Sequence, residues 1–295
     1  MEKVLSDKKA VCLFVLPALL LFIGVVVIPI GISFYYSLLD WDGIGKGSFV
    51  WLENYQKLFF SKTSKFWIAA GNSFMYAGIS LLVQLPISLL LALVISSGVK
   101  FENFYHSAYF IPVIISTVVI GQLWMKIYNP DYGLLNAFLR TVGLDSWTRT
   151  WLGDKSTALG ATFVPILWQY VGYHMLLMYG AIKSIPGELF EAARIDGASP
   201  SRTALSITIP MIRPMLKVSA TFSLIGSLKV FDLIFVLTNG GPSGASEVPT
   251  TLMYKTIFLK NQYGYGSSMA MFIVAECMIF TLLLRRLFNE KAEGR

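Results

Sequence analysis

S-I-P-G-E-L-F-E-A-A-R-I-D-G-A-S-P-S-R-T-A-L-S-I-T-I-P-M-I-R-P, residues 184–214, is a polar segment set between two apolar runs. Pro186 suits the start of a helix, and Glu188 and Glu191 place negative charge on the positive end of its dipole. Good helix formers fill Glu188 to Ile195. Asp196-Gly197 then ends the helix, with glycine supplying a left-handed backbone closed to most residues. A second helix is expected from around Ser199 to Ser201, where a hydroxyl caps it and Pro200 fits its first turn, and it should end before Pro210. The segment therefore reads as helix, tight turn, helix. Two readings stand at this point. One is an amphipathic hairpin resting on lipid headgroups. The other is a knuckle for another protein's groove, which would explain the small Ala192-Ala193 pair beside the sharp turn.

Working outward, Ser156 to Ile182 holds no charge, and neither do Ala10 to Leu39, Phe66 to Val99 and Asn103 to Met125. Each matches or exceeds the ~20 apolar residues that span a bilayer core as a helix. Ile212 to Thr238 and Ser267 to Leu284 are of similar length but contain charges. The reading is an all-α polytopic membrane protein forming a single transmembrane domain over 1–295, with six spans at 10–39, 67–97, 104–126, 157–182, 213–238 and 267–285. Composition agrees, since the chain is 55% hydrophobic and only 14% charged, against about a quarter charged in a soluble domain.

The net charge of +7 is read as basic loops beside anionic headgroups rather than as a nucleic-acid surface. The loops 1–9, 100–106, 183–217 and 285–295 hold 13 Lys and Arg in roughly 65 residues; the alternate loops 40–65, 126–155 and 239–267 hold 10 in roughly 85. This bias places both termini in the cytoplasm. Six of the seven tryptophans, all but Trp168, fall in or beside the outer set, as interfacial rings do. The outer loops are expected to carry short interfacial helices. Cys12 and Cys277 lie in apolar spans and read as small hydrophobes. The first apolar run is too long for a secretory signal and lacks a cleavage site, so the first helix is expected to stay.

The pattern Glu191-Ala192-Ala193, three residues, Gly197, nine residues, Ile207, one residue, Ile209-Pro210 resembles the "EAA" loop of binding-protein-dependent ABC permeases. W-L-E-N-Y-Q-K-L-F (51–59), Y-F-I-P-V-I-I-S (109–116), Y-N-P-D-Y-G-L-L-N (128–136) and F-D-L-I-F-V-L-T-N-G-G-P (231–242) resemble the carbohydrate branch related to maltose and glycerol-phosphate permeases. Ala204 stands where that family commonly has an aromatic, and Ile209 where it has Leu.

The resemblance implies a multi-pass subunit of a bacterial inner membrane that forms half of a sugar-import pore. Its implied partners are a second homologous permease, two cytoplasmic ATP-binding subunits, an extracellular or periplasmic solute-binding protein, and membrane lipid. It implies that Glu191, Ala192, Ala193, Asp196, Gly197 and Ala198 couple the pore to the ATPase. Glu191 would meet a basic group there, Gly197 would form the turn, and the alanines would allow close packing. ATP and Mg would be bound by the partner, because the chain has no phosphate-loop or metal-ligand pattern. No cofactor and no enzymatic role are expected of this chain.

Polar residues at membrane depth are costly unless used. Ser223, Ser227 and Val230 share a helical face with Gly226 beside them, and Gln169 and Tyr173 lie one turn apart. These residue types suit a sugar, which binds through hydroxyl hydrogen bonds and ring stacking. They also suit helix packing. The resemblance places Tyr173, Ser223 and Ser227 at substrate-contact positions. Lys229 and Asp232, three residues apart, are expected to pair with each other on the opposite face. Glu276 is assigned to either the pore or a neighbouring helix. The competing functions are glycerol-phosphate uptake by the same architecture and an ion-coupled secondary transporter, which would work without ATP.

Overall fold

The computed structural model describes residues 8–61 and 65–293. Lys3, Lys62 and Arg295, counted among the loop charges above, lie outside these residues, as does the side chain of Cys12. The chain is helical almost throughout. Helices α1 (Lys8–Phe22) and α2 (Ile28–Ser37) are joined by a π-turn and lead into a two-stranded hairpin, β1 (Leu39–Asp40) with β2 (Ser48–Phe49). Then follow α3 (Glu53–Phe60), α4 (Phe66–Ile79), α5 (Leu85–Ser96), α6 (Glu102–Ile114), α7 (Thr117–Ile127) and α8 (Leu134–Thr141). The long α9 (Ala158–Lys183) leads to α10 (Gly187–Ile195) and α11 (Pro200–Thr203). The chain closes with α12 (Arg213–Leu228), α13 (Asp232–Leu237), α14 (Pro249–Tyr254) and α15 (Tyr263–Glu293). Short helices α3, α8 and α14 occupy the three loops where interfacial helices were expected.

Among the described residues, four helical stretches are long and apolar enough to cross a bilayer: Leu13–Ser37, Phe66–Ser96, Arg213–Leu237 and Tyr263–Phe288. A fifth candidate is the pair α6 and α7, bent by 97°. The expected span 104–126 is thus not one straight helix. Pro112 disturbs the ladder near the end of α6, and Ile115 and Ser116 are extended, with ψ of 139° and 132°. Helix α9 has the expected span's length at 26 residues, but Gln169, Tyr170, Tyr173 and His174 dilute its apolar character. The fifth expected span also breaks. Lys229 and Phe231 leave the helical region, with φ of −107° and −140°.

Three of the π-turns follow one rule. Ile23–Val27, Ser80–Gln84 and Ala204–Thr208 each end two residues before a proline, namely Pro29, Pro86 and Pro210. Proline lacks an N–H, and its ring clashes with the carbonyl four residues back. Shifting one turn to i→i+5 bonding, as in Leu85 N–H to Ser80 O, relieves that clash while the helix continues. This corrects the expectation that the helix after Pro200 stops before Pro210: the chain stays helical through Ile209–Met211.

Two compact units form. One contains the residues before Lys65 with Met253–Val274, the other Lys65–Leu252 with the residues from Ala275 onward. In the first, side chains from Leu13 to Ile32 are exposed. The far end of that helix is anchored to the hairpin region: Asn54 donates to the carbonyls of Ser37 (2.9 Å) and Leu39 (2.8 Å), and Trp41 packs against Tyr36 and Tyr263.

In the second unit, α9 is the central helix, packed along α5 and α6. One core joins Tyr76, Ile120, Ile166, Leu233, Ile234, Leu237 and Val248, and another joins Ala92, Ile95, Met175, Met178, Ile182 and Ile212. Gly172 sets the α6–α9 approach. A Cβ there would stand 1.8 Å from the Tyr109 carbonyl oxygen, so only glycine permits this backbone contact. Gly172→Ala should destabilise the protein by about 1–3 kcal/mol. Gly180→Ala, in the same helix with open space around it, should be neutral or better. Thermal unfolding of the two variants in detergent checks the difference.

Candidate functional site

A cavity of about 450 Å³ lies within the second unit. Tyr76, Ser80 and Gln84 line it from α4 and the π-turn after it, and Val113 and Thr117 from the α6–α7 bend. Ile166, Gln169, Tyr170, Tyr173 and His174 come from α9; Phe222, Ser223, Gly226 and Ser227 come from α12; residues 229–233 come from the break that follows. All six residues chosen for the solute path, Gln169, Tyr173, Ser223, Gly226, Ser227 and Val230, are therefore brought to one cavity. Val230 arrives by a different route from the one expected. It is not on a continuous helical face with the serines but sits on the broken segment.

The wall mixes satisfied and unsatisfied polar groups. Ser227 Oγ donates to Ser80 Oγ at 2.5 Å, and Gln169 Nε2 donates to Thr117 Oγ1 at 3.1 Å. Tyr76 OH and Thr162 Oγ1 are hydrogen-bonded nearby. By contrast Gln169 Oε1, His174 Nδ1 and Ser223 Oγ are buried with no partner among the described residues. Buried polar atoms are normally paired, so three orphans around one cavity mark a place where water or solute completes the bonding. Gly226 is exposed, and a Cβ there would meet nothing within 4 Å.

Lys229 and Asp232 require a correction. The argument for their pairing assumed one continuous helix, but they stand on either side of its break. No ion pair joins them among the described residues. They do not face away from the serines either, since both line the same cavity as Ser223 and Ser227. Glu276 is 4% exposed, and neither carboxylate oxygen has a hydrogen-bond partner among the described residues. It does not line this cavity.

The sequence reading missed Tyr76, Ser80, Gln84, Thr117, Tyr170 and His174. Ser80 and Gln84 carried a signal: they are polar residues inside a charge-free run, six residues and two residues ahead of Pro86 respectively. Thr117 carried none, because its position depends on a bend that propensity does not specify.

The segment after α9 forms the expected helix, tight turn and helix. Gly197 has φ of +74°, its N–H bonds to Arg194 O at 3.1 Å, and Ala198 N–H bonds to Ala193 O at 2.9 Å. This is a Schellman closure, which satisfies the carbonyls at a helix end. Ser199 Oγ accepts from Arg202 N–H at 3.3 Å and caps the next helix. Glu191, Ala192, Ile195, Asp196 and Gly197 are exposed, Ile195 to 87%. Ala193 is 6% exposed; it packs inward and offers no surface to a partner, contrary to the role expected of it.

Where α9 meets this knuckle, Glu102 at the start of α6 accepts from Tyr179 OH and pairs with Lys183 at 3.3 Å. His106 stacks edge-on against Tyr179 at 4.1 Å. The Tyr179 hydrogen bond, with Lys183 beside it, holds the Glu102 carboxyl below its ordinary range. A depressed carboxylate stabilises the fold above its unfolded pKa and loses that contribution as pH falls through the folded value.

With this geometry established, comparison with known proteins identifies the class. Residues 84–293 match the family model described as "Binding-protein-dependent transport system inner membrane component". The chain belongs to this family. It is 39% identical over 284 residues to the probable ABC transporter permease protein YurN of Bacillus subtilis, covering 95% of this chain and 96% of that one. It is 33% identical over 278 residues to the diacetylchitobiose uptake system permease protein NgcF of Streptomyces coelicolor, covering 90% of this chain and 78% of that one. A crystal structure of a bacterial ABC transporter that imports the acidic polysaccharide alginate matches with a TM-score of 0.82 at 23% identity, covering 98% of this chain and 99% of that one. That last likeness is one of fold.

Two outcomes test the site. If the Ser80–Ser227 bond is a helix-packing link, a double-mutant cycle with alanine at each position should give a coupling of about 0.6 kcal/mol in unfolding measurements; a coupling near zero would assign Ser227 wholly to solute. For the Glu102 cluster, the acid-side loss of thermal stability should be smaller in Glu102→Gln than in the wild type, read from melting curves across the carboxylate range.

Proposed function

We propose that this chain is a permease subunit of an ATP-driven importer of sugars, forming half of a pore whose solute path is the cavity between α9 and α12. The observation that carries the reading is the set of unsatisfied buried polar atoms on that wall, Gln169 Oε1, His174 Nδ1 and Ser223 Oγ, alongside Tyr173. Hydroxyl-rich solutes satisfy such groups, and rings such as tyrosine supply stacking. The relative named as a diacetylchitobiose uptake permease supports a carbohydrate.

In this reading the chain crosses the membrane six times with both termini cytoplasmic. Helix α9 and the bent pair α6–α7 supply the third and fourth crossings. The second homologous permease supplies the other half of the pore, and a solute-binding protein delivers sugar from outside. Two cytoplasmic ATPase subunits bind ATP and Mg and receive the 184–214 knuckle. Glu191, Ala192, Asp196, Gly197 and Ala198 form its tip. The exposed Ile195 gives it an apolar contact that a solvated hairpin would not need. Family membership disfavours an ion-coupled transporter. Glycerol-phosphate is less well served, because Asp232 lines the same cavity as Lys229 and opposes a phosphate.

Gly197→Trp is the direct test. Its Cβ has open space within the chain, so the substitution strains one backbone position and leaves membrane insertion intact. It should abolish co-purification of the ATPase or uncouple ATP hydrolysis from transport. Import at the wild-type rate with Trp at this position would remove the coupling assignment.

A further inference from the structure

Two charges on the cavity wall have no ion-pair partner among the described residues. Lys229 and Asp232 flank the break between α12 and α13, both are exposed, and both line the cavity. Neither makes an ion pair or a side-chain hydrogen bond among the described residues. Charged groups at membrane depth are expensive, and those present face cavities or partners.

The backbone that presents them is fixed. Thr250 Oγ1 donates to the Val230 carbonyl, Val230 N–H bonds to Ser227 O at 3.3 Å, and the Phe231 and Phe235 rings stack at 5.2 Å. A helix opened inside a membrane is tolerated where it lines a cavity and its freed groups are met elsewhere. Here the opening places one donor-only and one acceptor-only side chain on the same wall.

That combination matches a specific chemistry. A sugar hydroxyl both donates and accepts, so neighbouring hydroxyls on one ring are met by an ammonium and a carboxylate together through charge-assisted bonds. An acidic sugar would gain Lys229 but bring its own carboxylate towards Asp232, and like-charge approach is how a site rejects a competitor. We infer that Lys229 and Asp232 form a hydroxyl-reading pair that selects uncharged sugars over acidic ones. The inference rests on the sugar-path reading of the cavity and adds its substrate class.

The test uses the complete importer, with second permease, ATPase subunits and binding protein, in proteoliposomes. Maltose, cellobiose and diacetylchitobiose are the neutral probes and digalacturonate the acidic one. At least one neutral sugar should be carried, and digalacturonate should not. Lys229→Met and Asp232→Asn should each lower transport of that sugar by about 10- to 100-fold, the usual scale for loss of a charge-assisted bond, in complexes that still assemble. A deoxy analogue lacking the hydroxyl read by one of these residues should cost the wild type a similar factor and cost the matching variant little.

Transport of digalacturonate as fast as the neutral sugars, or of no neutral sugar at all, overturns the proposal. So does full recovery in the charge-swapped double variant Lys229→Asp, Asp232→Lys, which would show a mutual ion pair. Disassembly of either single variant would assign the charges to the second permease. A wild-type complex whose transport needs no ATP fails the importer reading instead, whatever the pair does.

Discussion

Hydrocarbon offers no water to a peptide group, so each backbone N–H and C=O inside the bilayer must find its partner within the protein. The structure follows from how the chain meets that requirement where helices are interrupted. Three prolines within helical segments are absorbed by π-turns that keep the ladder closed. The bend at Ile115-Ser116 and the break at 229–231 are larger departures, and the break has its Val230 carbonyl capped by Thr250. Three of these irregularities converge. The Ser80–Gln84 π-turn, the α6–α7 bend and the 229–231 break all contribute residues to one cavity.

Convergence of this kind gives the site its character. A regular helix offers a solute only side chains, whereas a wall made from a widened turn, a bend and an open segment can place polar groups at angles a straight helix cannot reach. The wall divides its polar groups between two tasks. Ser227 and Ser80 hold helices together, as does the amide of Gln169 on Thr117. Ser223 Oγ, His174 Nδ1 and the Gln169 carbonyl oxygen have no partner among the described residues. Gln169 serves both tasks with one side chain, which fixes its rotamer and so orients its free oxygen.

Much of this was readable from sequence, for identifiable reasons. Charge-free runs report membrane helices because the cost of a charge in hydrocarbon acts locally. The Asp196-Gly197 turn was legible because left-handed backbone selects glycine. Gln169, Tyr173, Ser223 and Ser227 stood out because polar residues in apolar spans are conspicuous, and the structure brings them to one cavity. What failed was continuity. The Lys229–Asp232 pairing assumed an unbroken helix, yet neither Lys229 nor Phe231 is a strong breaker by propensity, and Thr250, which caps the break, lies 20 residues on. Ala193 was misassigned because spacing identifies a small residue without saying which face it occupies. Pro210 was read as a stop because the π-turn that accommodates it has no distinct composition.

The backbone contact at Gly172 has a mechanical consequence. Helices α6 and α9 touch there without intervening side chains, and the Glu102–Tyr179–Lys183 cluster ties the start of α6 to the end of α9. Two rods fastened at two heights resist sliding and splaying, so they swing as a single stiff lever. Compliance is left to the extended pair Ile115-Ser116, where no helical bond crosses, and a push delivered at the foot of α9 would be felt as rotation at that joint.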